Sequence, residues 1–163
     1  IVGVLLHVLA HAAAKGTAFF GAGSVLRKLG TKDMTLIRGG IGLLPWSGPM
    51  LVLAVLALSA MPPFGIFRSE FLIVSGGLAN GHDAVAAVLV VLVTLAFLGL
   101  SWFTTRTMLS PTPASAIARG ETSGFIVVAM VVGLAALVVL GVHVPGELSR
   151  LLTRAAGELG VRP

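Results

Sequence analysis

His7, His11 and Lys15 recur at intervals of four residues. On an α-helix each such step advances about 6 Å along the axis and turns about 40° around it. The three side chains therefore make a polar ladder on one helix face. Histidine titrates near neutral pH and a desolvated lysine releases its proton readily, so the ladder can take up and give back protons where arginine could not. Glu70 supplies the second chemical element. It stands in Met61-Pro62-Pro63-Phe64-Gly65-Ile66-Phe67-Arg68-Ser69-Glu70-Phe71-Leu72-Ile73, an acid beside a forced helix break in a stretch otherwise apolar enough to span a bilayer. A carboxylate at membrane depth costs roughly 3 kcal/mol or more, so such residues face polar cavities and mark ion paths. Pro62 and Pro63 have no N–H to offer the carbonyls of Leu58 and Ser59. Non-helical backbone at that depth persists only where protein or water satisfies it. His7, His11, Lys15 and Glu70 thus read as a proton relay, with Pro62, Pro63 and Gly65 forming the break beside it. The bland alternative is a set of interhelical hydrogen bonds, or a static ion pair between the ladder and Glu70.

Glu70 falls within the first two turns of a half-helix starting near Gly65, whose N-terminal dipole favours a negative charge while burial favours the neutral acid. Opposed influences keep such a group switchable. Arg68, two residues away, does not share its face and needs a partner of its own or a wet cavity. Gly21-Ala22-Gly23 lacks the preceding strand and third glycine of a dinucleotide site, and no Walker pattern is present.

The elements that must hold these residues follow from hydropathy. Of 163 residues, 56% are hydrophobic and 10% charged, with mean hydropathy +1.05, which places the chain among polytopic all-α membrane proteins. Its net charge of +5 comes from basic residues scattered along loops, where they set orientation rather than bind nucleic acid. The absence of cysteine excludes disulfides and cysteine-ligated iron–sulfur or zinc sites. Any redox centre then belongs to another subunit. Ile1 opens directly on an apolar run without an initiator methionine or a basic flank, which predicts a segment of a longer chain rather than a signal peptide.

At about 20 apolar residues per crossing, four units are expected: Ile1 to about Leu26, about Pro45 to Leu78, about Ala84 to Thr105 and about Gly124 to Val144. The second is too long for one straight crossing unless broken at Met61 to Gly65. Ser110-Pro111-Thr112-Pro113 punctuates the last loop, with Thr122 or Ser123 placed to cap the final span. The first loop holds Arg27, Lys28, Lys32 and Arg38 and the last holds Arg106 and Arg119, while Asn80-Gly81-His82-Asp83 holds neither Lys nor Arg. Both basic loops are then cytoplasmic, provided the second unit crosses once as a discontinuous helix and not as a re-entrant hairpin. Residues 1–144 form the transmembrane domain and 145–163 an amphipathic tail. In that tail Leu148, Leu151, Leu152, Ala155 and Leu159 face away from Glu147, Arg150, Arg154 and Glu158, fit for the interface or a partner. Arg150, Arg154 and Arg162 fall on the outer side in this scheme, against the basic-loop bias.

Two motifs together resemble a known family. His7-x-x-x-His11-Ala12-x-x-Lys15-x-x-x-Phe19-Phe20-x-x-Gly23, followed by Leu58-Ser59-Ala60-Met61-Pro62-Pro63-Phe64-Gly65-x-Phe67-x-Ser69-Glu70, is similar to the C-terminal part of the proton-pumping antiporter-like subunits. These are shared by respiratory complex I, multisubunit sodium/proton antiporters and membrane-bound hydrogenases. The Pro-Pro-Phe-Gly-x-Phe-x-Ser-Glu phrase looks most like the branch typified by hydrogenase-4 component F. The resemblance implies a partial antiporter-like fold, the last four helices of fourteen, with the second as the family's discontinuous helix. It also implies that Lys15 is the central-axis lysine, His7 and His11 its hydrated neighbours, and Glu70 the ionisable residue at the exit. The family's N-terminal repeat supplies a glutamate and lysine pair for the other half-channel, and nothing here replaces them. Arg68 departs from the pattern, where an apolar residue is expected.

The function so implied is proton translocation in a multi-pass subunit of the plasma (inner) membrane, itself without cofactor. Partner membrane and peripheral subunits of a hydrogenase or complex I-like assembly would hold iron–sulfur clusters with nickel–iron or flavin. A subunit of a sodium/proton antiporter is the main alternative. A non-transporting structural fragment packed beside partner subunits is the second. A solute transporter binding at the broken helix is the third, and it calls for a larger polar pocket than this sequence offers.

Overall fold

Gly3, Ala10, Ala14, Thr17, Gly21 and Ser24 are buried along one stripe of the first helix, α1 (Val2–Leu29). Small residues let helix backbones approach closely in a bilayer, where apolar burial alone gives little drive to associate. In the computed structural model, which describes residues 1–111 and 117–159, α1 is accordingly the central helix. It touches α3 (Ser47–Leu58), α4 (Gly65–Ala79), α6 (Gly124–Val142) and α7 (Gly146–Glu158). A single turn, α2 (Gly40–Leu43), precedes α3, and α5 (Asp83–Thr104) ends in a π-helical turn over Thr105–Leu109.

Among the described residues, three helical stretches are long and apolar enough to cross a membrane: α1, α5 with its π turn, and α6. A fourth crossing is assembled from two shorter pieces. Leu51 of α3 packs on Gly21, Gly65 of α4 lies beside Ala10, and Leu72 and Ile73 lie on Gly3. Residue numbers rise along α3 and α4 as they fall along α1, so the two pieces form one discontinuous antiparallel crossing and not a hairpin.

The break has a defined geometry. Ala57 O accepts from Ala60 N–H at 3.3 Å and Leu56 O from Met61 N–H at 3.1 Å, with Ala60 left-handed at φ 54°. This is a Schellman ending. It places an alanine where glycine is usual, at a cost of roughly 1 kcal/mol. The prolines follow at once and prevent the helix from resuming before Gly65. A cluster of Ala10, Ala14, Ala57, Phe64, Ile66 and Leu137 closes around the gap. Gly65 is needed there for close approach, since an added Cβ would lie 2.9 Å from Leu140 Cβ and 3.1 Å from Ala10 Cβ.

Both basic loops lie at the same end, as a single crossing requires. Lys28 Nζ donates to Gly120 O at 2.8 Å, Arg38 Nη1 to Arg106 O at 3.4 Å, and Gly120 N–H to Leu43 O at 3.0 Å. Glu121 completes this junction. Its Oε1 accepts from Trp46 N–H at 2.7 Å and Ser47 N–H at 3.1 Å, and its Oε2 from Ser47 Oγ at 2.6 Å. A carboxylate from a distant loop thus caps the positive end of α3. Burial pushes the Glu121 carboxyl up, but the bonds from Ser47 and Trp46 and the nearby Lys28 cation together hold it below its ordinary value. A lowered carboxylate stabilises the fold at pH above its unfolded-state value, and that contribution disappears as pH falls through the lower folded-state value. Glu121→Ala is expected to cost about 1–2 kcal/mol, read as a lower unfolding midpoint in detergent at neutral pH. An unchanged midpoint would mean that water serves the end of α3 equally well.

Some expectations need correction. Ser123 occupies the residue before α6, but its side chain makes no capping bond, and Val127 N–H reaches only its carbonyl at 3.4 Å. Thr122 Oγ1 is buried without a partner among the described residues. The amphipathic helix expected in the tail is present as α7, which packs against α1. Of its apolar face Leu152 is buried while Leu151 and Leu159 are exposed. Thr112, Pro113 and Arg162 lie outside the described residues.

Candidate functional site

The polar ladder lies just beside the small-residue stripe of α1, and the 40° drift per step separates its members. His7 and His11 are half-buried while Lys15 is exposed. The two imidazoles stack nearly parallel, with centroids 5.6 Å apart and planes 20° apart. His7 is the member turned onto the broken helix: its Nδ1 lies 3.0 Å from Ser69 Oγ. Ser69 is fully buried and its hydroxyl donates to Ile66 O at 2.7 Å. The first step of the ladder therefore touches the residue preceding Glu70.

Glu70 itself is one residue further round α4, half-buried. It lines a cavity of about 270 Å³ between the broken helix and α5, whose walls include Ser59, Ala60, Val90 and Thr94. Ala60 is the left-handed residue at the end of α3, so the cavity opens directly on the break. No ion pair links Glu70 to Lys15; among the described residues the one ion pair is Glu147 with Arg150. His7 and Glu70 thus flank the first turns of α4, one toward α1 and the other toward α5.

Arg68, for which no helix-surface partner is apparent in the sequence, finds one across space. Its Nη1 donates to Val142 O at 3.1 Å and Gly141 O at 3.4 Å. Those are the last carbonyls of α6, where the helix dipole is negative and backbone acceptors lack intrahelical donors. The guanidinium ties the end of α6 to the first turn of α4, directly below the break.

Sequence reasoning missed Ser69 as a partner of His7, Glu121 as a cap for α3 and Gly141 as the contact on the break. Only Glu121 left a signal, as the sole acid in the loop before α6. A larger cavity of about 470 Å³ lies elsewhere, walled by Phe19, Leu26, Leu51, Val55, Leu100 and Phe103 among others. Its wall is mainly apolar, with Lys32, Thr31, Thr104 and Thr107 on it, and does not include the residues of the break. Among the described residues no three His, Cys, Asp or Glu side chains converge to hold a metal ion.

Residues 1–99 match the sequence family described as "NADH:quinone oxidoreductase/Mrp antiporter, TM". That stretch is more than half of the chain and contains every relay candidate. Among individual proteins, Hydrogenase-4 component B of Escherichia coli K12 is 38% identical over 71 residues, 44% of this chain and 11% of that one. A Hydrogenase-4 component F homolog of Methylacidiphilum infernorum is 34% identical over 90 residues, 55% of this chain and 19% of its own. A Na(+)/H(+) antiporter subunit of Alkalihalophilus pseudofirmus is 28% identical over 88 residues, 54% of this chain and 18% of its own. The matched segment spans no more than about a fifth of these relatives.

Proposed function

Because this chain belongs to the NADH:quinone oxidoreductase/Mrp antiporter transmembrane family, we propose that it is the C-terminal part of a proton-translocating membrane subunit of a hydrogenase-type or complex I-like assembly. The observation that favours this reading is the discontinuous crossing laid along α1, with His7 bonded to Ser69 on one side of α4 and Glu70 lining a cavity on the other. Protons exchange along His7, His11, Lys15, intervening water and Glu70. The exposed Lys15 points to where the family's other half-channel would meet this one. Residues 1–144 are the antiporter-like domain and 145–163 an amphipathic tail whose α7 lies against α1, and the two joined basic loops face the cytoplasm across the plasma membrane.

Moving one charge across the membrane is worth about 2.3 kcal/mol per 100 mV, and no redox centre is apparent in this sequence to supply it. Charge changes in a neighbouring subunit, holding iron–sulfur clusters with nickel–iron or flavin, would drive the relay electrostatically. The likeness to the Alkalihalophilus pseudofirmus antiporter protein favours a second reading, in which the same residues exchange sodium for protons. Proteoliposomes of the complete protein separate these. Proton uptake is expected to fall at least tenfold in Lys15→Ala and to be indifferent to sodium in the parent. Sodium-dependent pH changes would instead establish the exchanger, and unaltered uptake in Lys15→Ala would remove the lysine from the path.

A further inference from the structure

Ser69 makes two hydrogen bonds, and a hydroxyl has one proton to donate. That proton is used on Ile66 O at 2.7 Å. The 3.0 Å contact with His7 must then run the other way, with His7 Nδ1–H donating and Ser69 Oγ accepting. We propose that Ser69 is a positioning residue for His7: it holds the neutral ring in the Nδ1–H tautomer and leaves Nε2 as the one atom that gains and loses the transported proton.

The consequence is specific to how His7 works, and it rests on the relay reading above. An imidazole that conducts a proton straight through accepts at one nitrogen and releases from the other, then must reset. With Nδ1–H engaged by a fully buried serine, His7 takes a proton at Nε2 to become imidazolium and returns it from Nε2. It stores a proton without passing it through the ring. The neighbouring His11 fits this arrangement. The ring centroids lie 5.6 Å apart, and among the described residues the hydrogen bond His7 makes is to Ser69, with none to His11. Water must therefore link Nε2 to the rest of the ladder. Nor can Ser69 hand the proton on to Glu70, because its own O–H is committed to Ile66.

In proteoliposomes of the complete protein, Ser69→Ala is expected to lower proton uptake about five- to tenfold, the equivalent of one net hydrogen bond. Ser69→Thr, which keeps the hydroxyl, should restore it to within about twofold. A merely structural serine would not affect the ring, so the second readout is the tautomer. The ¹⁵N spectrum of histidine-labelled protein, with His7 assigned by difference from His7→Gln, should show Nδ1 protonated in the parent and in Ser69→Thr. In Ser69→Ala it should show protonation shifting toward Nε2. The same tautomer and the same uptake in Ser69→Ala, with His7→Gln inactive, would overturn the positioning role alone. Full uptake in His7→Gln would overturn the relay through His7, and the tautomer would still decide what Ser69 does.

Discussion

Glu70→Gln in the complete protein is expected to abolish proton uptake, by about a hundredfold or more, while the protein still folds and assembles. Glutamine keeps the size of the side chain and its capacity for hydrogen bonds but cannot ionise. The loss would therefore report proton exchange at the carboxylate. Folding should survive because the groups that seat α4 lie elsewhere on it: Ile66 and Ser69 are fully buried, Ser69 meets His7, and Arg68 holds the end of α6. The Glu70 side chain meets the cavity instead. Its surroundings give the amide no ion partner to lose, since no cation pairs with Glu70 among the described residues. Glu70→Asp, which ionises but is one methylene shorter, should keep a measurable fraction of the rate. Vesicles loaded with a pH-sensitive dye would show both effects. Normal acidification by Glu70→Gln would take this residue off the path, and the cavity between α4 and α5 would then be a packing defect with an acid on its wall.

The one-dimensional features of this fold are legible in the sequence because each has a local cause. Apolar length marks α1, α5 and α6, the first despite Lys15 within it, and consecutive prolines mark the end of α3 before any neighbour is known. The two basic loops constrain topology conditionally, and the antiparallel march of α3 and α4 along α1 meets the condition. What stayed hidden depends on helix rotation and on contacts between residues far apart in the chain. Arg68 looks orphaned because its acceptors, Gly141 O and Val142 O, lie 73 and 74 positions away. Glu121 looks like an ordinary loop acid because the helix it caps begins 74 positions earlier. The ladder spacing places His7, His11 and Lys15 on one face without saying which of them meets α4. That depends on the rotation of α1, set by packing its small-residue stripe, and the outcome is that His7 makes the contact while Lys15 turns outward. Ser69 gave no warning of its role because serine in a membrane helix commonly bonds the carbonyl a turn back, and only the approach of α1 supplies its second partner.

Among the described glycines, Gly141 leaves the least room for a side chain, where α6 passes the break, and Gly141→Val is expected to be strongly disruptive. A Cβ on Gly141 would collide with Pro63 O and would lie 2.6 Å from Phe64 C and 2.7 Å from Pro63 C. Every one of these is a backbone atom, so no side-chain rotation relieves the clash. The end of α6 must retreat, which pulls Val142 O away from Arg68 and withdraws Leu137 from the cluster with Ala10, Ala57 and Phe64. Overpacking of this kind costs about 1–3 kcal/mol, and the lost charge-assisted bond adds about 1.5 kcal/mol or more. Gly99→Val is the matched control. Gly99 also sits inside an apolar helix, α5, but an added Cβ there meets nothing within 4 Å, so the same substitution should leave the midpoint close to that of the parent. Comparing unfolding midpoints of the two variants in the same detergent cancels what valine does to helix propensity and leaves the contact with the break. Equal midpoints would mean that α6 does not press on Pro63, and the prolines would then be covered by something other than this helix.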